Sequence, residues 1–422
     1  MKITAGRILA RPGPWLLVLI TTILAAILAS SYLGGLLNPG GNMRNVPVLI
    51  VNSDTVGTDN LGAGLVDAAV SGNRPDGKIE WRTATDEADM RTQLDRGEVY
   101  AAVIIPAGFS GAVHALSGAD PGSSFPMIRV LTLPSAGAMA SSTAASAAQQ
   151  FVATTSKTVA AALNSAPTEN PAQRLLLSDP VRADITPYQS LPANTANGMG
   201  AFYLALVLML SGLLAANVIN MAIDTALGFL PQEVGPRRKV SLAMPIDRVH
   251  TYLTKLAVLA VAAPAITTTV LLMAKQLFGM EITHFGELWL FGVAVVATTA
   301  LVVLALLSIV GPLGLVLGLI VLMVLGVPSS GGAYPLQMVP PAMRWLGEGL
   351  PMRRAIDGIR AILFYDGRWD AGISHSIVVL GIWLASALIA GLAVPALFDR
   401  VTAPRHGHEH PLAAVTPEPV AV

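Results

Sequence analysis

The stretch Phe285–Val327, FGELWLFGVAVVATTALVVLALLSIVGPLGLVLGLIVLMVLGV, carries one charged side chain, Glu287, at its very start. A helix crossing ~30 Å of hydrocarbon needs about 20 apolar residues. The stretch is therefore too long for one span and long enough for two. The turn signal at Val310-Gly311-Pro312 divides it into Phe285–Ser308 and Pro312–Val327, a membrane hairpin whose second arm is the shorter. Four more segments meet the same criterion: Trp15–Leu37, Met199–Ile223, Tyr252–Phe278 and Ser376–Phe398. The expected fold is a polytopic α-helical membrane protein with six transmembrane helices.

Composition agrees. Of 422 residues, 53% are hydrophobic and only 12% charged, against roughly a quarter charged in ordinary soluble chains. The apolar residues come in long blocks. Net charge is zero, so nothing points to nucleic acid as a partner. There is no cysteine, which excludes disulfides, thiolate metal sites and cysteine nucleophiles.

Cations near span ends set the direction of insertion. Lys2, Arg7 and Arg11 precede the first span. Arg237, Arg238, Lys239, Arg248 and Lys255 stand between the second and third, and Arg400 and Arg405 follow the last. Placing all three groups in the cytoplasm requires an even number of spans, so both termini are expected inside. The loop Pro328–His375 then falls outside despite Arg344, Arg353, Arg354, Arg360 and Arg368, which Glu348, Asp357, Asp366 and Asp370 partly balance. The first span exceeds the ~7–15 residues of a signal-peptide core, and cleaving it would leave an odd number. The expected division is an N-terminal interfacial segment 1–14, a first span 15–37, an extracytoplasmic domain 38–198, a membrane domain 199–398 and a disordered cytoplasmic tail 399–422. Within the membrane domain, 224–251 is a cytoplasmic loop and 328–375 an outer loop of interfacial or re-entrant helices.

The insertion 38–198 is long enough to fold independently. Its pattern alternates between strands at Val46–Val51, Lys78–Thr83, Val99–Ile105 and Met127–Leu133 and helices at Leu61–Val70, Thr85–Arg96 (with Thr85 as N-cap) and Ala107–Leu116. This predicts a small α/β domain. Ala136–Ser165 reads as a long helix, either a stalk reaching a partner or, preferably, a helix packed on the sheet. Pro167–Pro192 reads as a proline-punctuated return to the membrane.

Chemistry is sparse. Gly72–Ile79 has the G-x4-G-K spacing of a phosphate loop, but Ile79 stands where Ser or Thr must hold Mg²⁺, and a strand follows rather than a helix. It reads as a turn, so the chain is not expected to hydrolyse ATP. No nucleophile, paired-carboxylate or metal-protease constellation is present. His406, His408 and His410 alternate in the tail, where a solvated segment is preferred to a metal site. Charges inside spans are nearly absent, which argues against proton coupling: Lys275 sits near one end of the third span and Asp224 at the inner end of the second. Ser211, Asn217 and Asn220 recur along the second span and read as interhelical hydrogen-bonders or as a substrate path.

Three segments carry a resemblance. They are VPVLIVNSDTVG (Val46–Gly57) with RGEVYAAVIIPAGFS (Arg96–Ser110); QEVGPRRKVSLAMPIDRVHTYLTK (Gln232–Lys255); and SSGGAYPLQMVPPAMRWLGEGLPMRRAIDGIRAILF (Ser329–Phe364). With one span, a large outer domain and five further spans, the chain resembles the type-2 ABC exporter permeases, and more closely their YhgE/Pip (phage infection protein) branch. Unlike many relatives in that branch it lacks a long coiled-coil outer region, and its Glu233-Val234-Gly235 replaces a fuller acidic run. The resemblance implies a bacterial plasma-membrane permease, homo- or heterodimeric. ATP would be hydrolysed on a separate cytoplasmic ABC ATPase, with no cofactor in this chain. Glu233, Arg237, Arg238, Lys239 and Arg248 would couple to that ATPase, and Ile3–Pro12 would lie along the inner face. Ser330, Gly331, Gly332, Pro335, Pro351 and Arg360 would form the motif at the outer mouth. The cargo would be lipid-like, amphiphilic or polymeric. The competing reading is a non-transporting receptor, scaffold or envelope-assembly factor that works through its outer domain.

Overall fold

A computed structural model describes residues 12–36, 38–54, 60–75, 77–116, 125–163, 177–234, 237–239, 244 and 246–401. The segment Ile3–Arg11 and the histidines of the tail lie outside the described residues.

Helix α1 (Pro12–Leu36) leads into a five-stranded sheet. The elements, in order, are β1 (Val46–Asn52), α2 (Leu61–Ser71), β2 (Ile79–Thr83), α3 (Glu87–Asp95), β3 (Ala101–Ile105), α4 (Phe109–Ala115), β4 (Met127–Thr132), α5 (Ala138–Leu163) and β5 (Arg182–Pro187). The sheet order is β2-β1-β3-β4-β5, parallel except where β3 meets β4. All five residues of β3 are buried, as an uninterrupted apolar run in a central strand requires. Val48 and Ile50 of β1 face one layer, under α2 and α5, while Leu49 and Val51 face the other, under Met90 and Leu94 of α3. Burying each such Val, Ile or Leu contributes about 1.5–3 kcal/mol.

Two expectations for this domain need correction. The cap of α3 is Asp86, whose carboxylate accepts from Asp89 N at 2.8 Å, and not Thr85. Thr85 N instead donates to the Asp89 carboxylate at 3.1 Å. Asp86 and Asp89 thus take different N–H groups, one on each side of the helix start, and the residue directly before the helix is the one whose carboxylate reaches the first turn. The segment before the second span is not a plain return, since β5 pairs along β4 from Met127↔Arg182 to Thr132↔Pro187. Its Pro187 sits at the end of an edge strand, where the missing N–H costs no ladder bond. As preferred from the sequence, α5 packs on the sheet, with Ala140, Ala144, Ala148, Val152 and Ala160 buried along it.

The membrane portion contains α6 (Gly200–Ala226), a hairpin of β6 (Gln232–Val234) and β7 (Arg237–Lys239), and α7 (Arg248–Leu272), which continues through a π turn at Met273–Leu277. Helix α8 (Phe285–Val310) follows, then α9 (Leu313–Leu319) with its extension to Ser329, α10 (Pro341–Glu348), α11 (Pro351–Phe364) and α12 (Ile373–Val401). Among the described residues four helices are long and apolar enough to cross a membrane: α6, α7 with its π turn, α8 and α12. Two shorter apolar helices run beside them, at Thr22–Leu36 of α1 and at Leu313–Ser329.

Gly311, at φ +66°, turns α8 into α9. A Cβ on Gly314 would stand 2.3 Å from the Leu306 backbone, so only glycine permits this approach of the two arms. The second arm is not one regular helix: it passes through a π turn at Ile320–Val324 before Gly326–Ser329. Ser31 of α1 donates to the Val324 carbonyl at 2.6 Å, using an acceptor in that irregular stretch.

Candidate functional site

Chain direction gives the bundle two polar ends, tied together by specific side chains. At one end the α/β domain meets the segment 329–371. Tyr100 Oη donates to Gln337 Oε1 at 2.9 Å, and Arg44 N donates to the Gln337 carbonyl at 2.8 Å. Arg96 Nε meets Asp370 Oδ2 at 2.9 Å, and Arg368 Nη1 meets Asp95 Oδ2 at 3.5 Å. Hydrogen bonding from Arg368 and Arg96 draws the Asp370 carboxyl down to about 2. Burial pushes the Tyr100 phenol up to about 12. Gly97, at φ +67°, brings its backbone against the Tyr365 ring, where an added Cβ would lie 2.5 Å from the hydroxyl.

The first and third motif segments thus meet in space. Gly97 and Tyr100 of the sheet domain receive Tyr365 and Gln337 from the segment 329–371. The other half of the first motif is a structural knot. Asp54 is fully buried and accepts from both Ser110 N, at 3.1 Å, and the Ser110 hydroxyl, while Ser110 Oγ accepts from Leu61 N at 3.0 Å. Of Val46–Gly57, residues 55–57 lie outside the described residues.

Within the third motif, Ser330 Oγ donates to the Val327 carbonyl and accepts from Gly332 N. Gly331 takes φ +73°, and a Cβ on Gly332 would run into Phe202 of α6 and Ile356 of α11. Pro335 precedes a short 3-10 turn, and Pro351 opens α11. Helix α11 is no surface helix: Met352, Ile356, Ile359 and Leu363 are buried in the bundle core. Arg354 is 8% exposed; it donates to the Glu348 carbonyl and pairs with Asp357 at 3.2 Å. Arg360 is half-buried, and its charge acts on the hydroxyls of Tyr100 and Tyr365.

At the opposite end the β6–β7 hairpin places Glu233 across from Arg238 and Val234 across from Arg237. Asp247 caps α7, accepting from His250 N at 2.7 Å, and this hydrogen bond holds its carboxyl below the usual range. Arg248 Nη1 meets Asp399 Oδ1 at 2.9 Å, joining α7 to the end of α12.

Here too stands a group that composition hid. Lys255, only 4% exposed, places Nζ 2.7 Å from Asp224 Oδ1 and 2.7 Å from Asn220 Oδ1. The expectation of spans nearly free of buried charge is therefore corrected: α6 and α7 share a buried ion pair. Asn220 and Asp224 are four residues apart, hence on one helix face, and Lys255 lies two turns into α7. That spacing was the available signal. The pair borders a cavity of about 510 Å³ lined by Asn217, Arg248, Tyr252, Ser308 and Pro312 among others. Charges this deep are costly to desolvate and persist only when paired. Ser211 stands apart from this constellation, one helical turn and more above Asn217.

Taken together, these features define a polytopic helical membrane protein with an α/β domain at one end of its bundle and a charged hairpin at the other. The family model described as ABC-2 family transporter protein matches residues 15–393, and the chain belongs to that family. It is a membrane permease subunit of an ABC exporter, of a kind that carries no ATPase of its own and implies a partner ATPase subunit. No curated protein and no solved structure matches it.

Proposed function

We propose that this chain is a permease of the YhgE/Pip-like branch. In this reading six helices cross the plasma membrane and both termini are cytoplasmic. The α/β domain is extracytoplasmic and the β6–β7 hairpin docks a separate ABC ATPase. The cargo is lipid-like, amphiphilic or polymeric, moved by a homo- or heterodimer.

The observation that carries the reading is the wiring of the hairpin end. Family membership calls for an ATPase contact, and the hairpin is flanked by the two helices that share Lys255–Asp224. The next link, Arg248–Asp399, reaches α12. A push on Arg237, Arg238 or Lys239 would then move α6, α7 and α12 together. At the far end α6 and α12 abut the 329–371 segment: its Gly332 backbone rests on Phe202 of α6, and Trp383 of α12 donates to the Gly349 carbonyl. Motion is thereby delivered to the outer mouth motif of Ser330, Gly331, Gly332, Pro335, Pro351 and Arg360. The low charge of the helices suits an amphiphilic cargo.

The test is isolation from native membranes in mild detergent. A stoichiometric ATPase should accompany the wild-type chain and be lost when Arg237, Arg238 and Lys239 are all changed to Ala, with insertion unaltered. Recovery of envelope-synthesis proteins and no ATPase would instead favour a scaffold working through the outer domain.

A further inference from the structure

The α/β domain contains a groove that the hairpin-to-mouth wiring does not use. It has a volume of about 950 Å³ and runs between α2 and α5 over the edge strand β2. That is the upper end of the ~300–1,000 Å³ typical of ligand pockets. Its position follows from topology. From β1 the chain crosses through α2 to β2, then through α3, on the opposite face, to β3. This reversal of strand order opens a crevice at the carboxyl ends of β1 and β3, where α/β sheets bind ligands. Asn60, Leu61 and Phe109 at those ends line the groove.

Its chemistry is uniform. Among the described residues no Asp, Glu, Lys or Arg lines it. Trp81 and Phe151, with ring centroids 5.1 Å apart, form one wall. Helix α5 contributes Thr154 and Thr158, whose hydroxyls donate back to the carbonyls of Gln150 and Thr154. Those hydroxyls are spent within the helix, so a wall that reads as polar in sequence is less so in the fold. Small residues, Gly64, Ala68 and Ala147, leave room, and a Cβ on Gly64 would meet nothing within 4 Å. Asn60, His114 and Gln150 supply the few polar groups.

We infer that this groove binds a single hydrocarbon chain of an amphiphile, with the polar head left at the Asn60–His114–Gln150 rim. Uncharged walls match an uncharged chain. A peptide or a phosphorylated sugar would leave its charges unmatched. The inference deepens the proposed function, resting on it for the placement of the domain outside the membrane: the groove would hold cargo after it leaves the mouth.

The experiment uses the full chain in lipid nanodiscs and a palmitic acid analogue with a diazirine at its terminal carbon. After irradiation, peptides are mapped for adducts. Adducts are expected within 61–72 and 147–163. Gly64→Phe starts from a position where a Cβ meets nothing within 4 Å, projects a ring into the groove, and should cut them roughly tenfold, as if about two methylenes were no longer buried. Gly111→Phe also projects into open space but lies outside the groove, and should leave labelling unchanged. Adducts confined to α6–α12, or equal labelling in Gly64→Phe, would overturn the inference. So would cross-links between two copies through the groove, which would make a second chain its occupant. If these fail while an ATPase still copurifies with the wild-type chain, the exporter reading stands and only the groove is lost.

Discussion

The pair Lys255–Asp224 is expected to be among the most sensitive contacts in the bundle, and in an asymmetric way. Removing one partner of a buried ion pair leaves the other uncompensated and costs about 3–5 kcal/mol, whereas replacing both with apolar side chains is often nearly neutral. The structure ranks the two single changes. The Asp224 side chain is 15% exposed and borders the cavity at the hairpin end, so water can reach it once Lys255 is gone. The Lys255 side chain is 5% exposed, so the charge left behind when Asp224 is removed is the more deeply buried of the two. Lys255→Met should therefore cost about 3 kcal/mol and Asp224→Asn about 4–5 kcal/mol. The double change to Met and Leu should fall within about 1 kcal/mol of wild type. Unfolding by SDS titration in mixed micelles, followed by the fluorescence of the six tryptophans, reads all three. A coupling energy of at least about 2 kcal/mol is expected from the cycle. Two single variants near wild type, or a double variant as unstable as their sum, would refute the assignment of a buried, mutually dependent pair.

Other outcomes follow from the seam and the hairpin. Gly97→Ala places a Cβ in the left-handed region and against the Tyr365 ring, so hydrogen exchange should speed up at both 95–100 and 365–371; Tyr365→Ala in the same chain should relieve the clash but not the backbone strain. Because the Asp370 carboxyl is held at about 2 in the folded chain, below an ordinary value near 4, its contribution is present above that value and lost as pH falls toward 2. Proteolytic nicking between 365 and 372 should rise over that window, and Asp370→Asn should show the acid pattern already at neutral pH. Gly314→Leu forces α9 away from the Leu306 backbone and should cost at least about 1–3 kcal/mol, the range for overpacking, read in the same SDS titration. Ser110→Ala removes the hydroxyl donor of buried Asp54 and the acceptor of Leu61 N, leaving only the backbone N–H on the carboxylate, and should destabilise the α/β domain by about 1–3 kcal/mol, read by its hydrogen exchange.

Long apolar blocks made the helices of the bundle legible, and short continuous apolar runs bounded by turn residues, Val46–Val51 and Val99–Ile105, made the central strands legible, because both patterns follow directly from what each element must bury. Edge strand β5 was hidden because Arg182–Pro187 has no buried face to advertise: its residues are exposed or half-buried. The depth of α11 was hidden by four arginines in the surrounding segment; Arg353 and Arg354 pair with Asp357, and Arg354 also donates to the Glu348 carbonyl, while Met352, Ile356, Ile359 and Leu363 enter the core. The pairing of Lys255 with Asp224 was hidden for another reason. A cation near a span end reads as a topology marker, and only tertiary packing of α6 on α7 turns it into a buried partner. The short motifs were legible as a set, but their meaning was not. Gly97 and Tyr100 belong to the seam, while Asp54 and Ser110 hold the sheet domain together.

The most direct test of ATPase coupling places a photoreactive benzophenone side chain at the position of Arg238, in β7, and as a control at Ser142, on the exposed side of α5. Irradiation of native membranes should yield one dominant adduct at position 238, with an ABC ATPase, and none with that protein at position 142. An ATPase adduct at neither position, with envelope-synthesis proteins captured at position 142 instead, would contradict coupling through the hairpin and leave the outer domain as the working part.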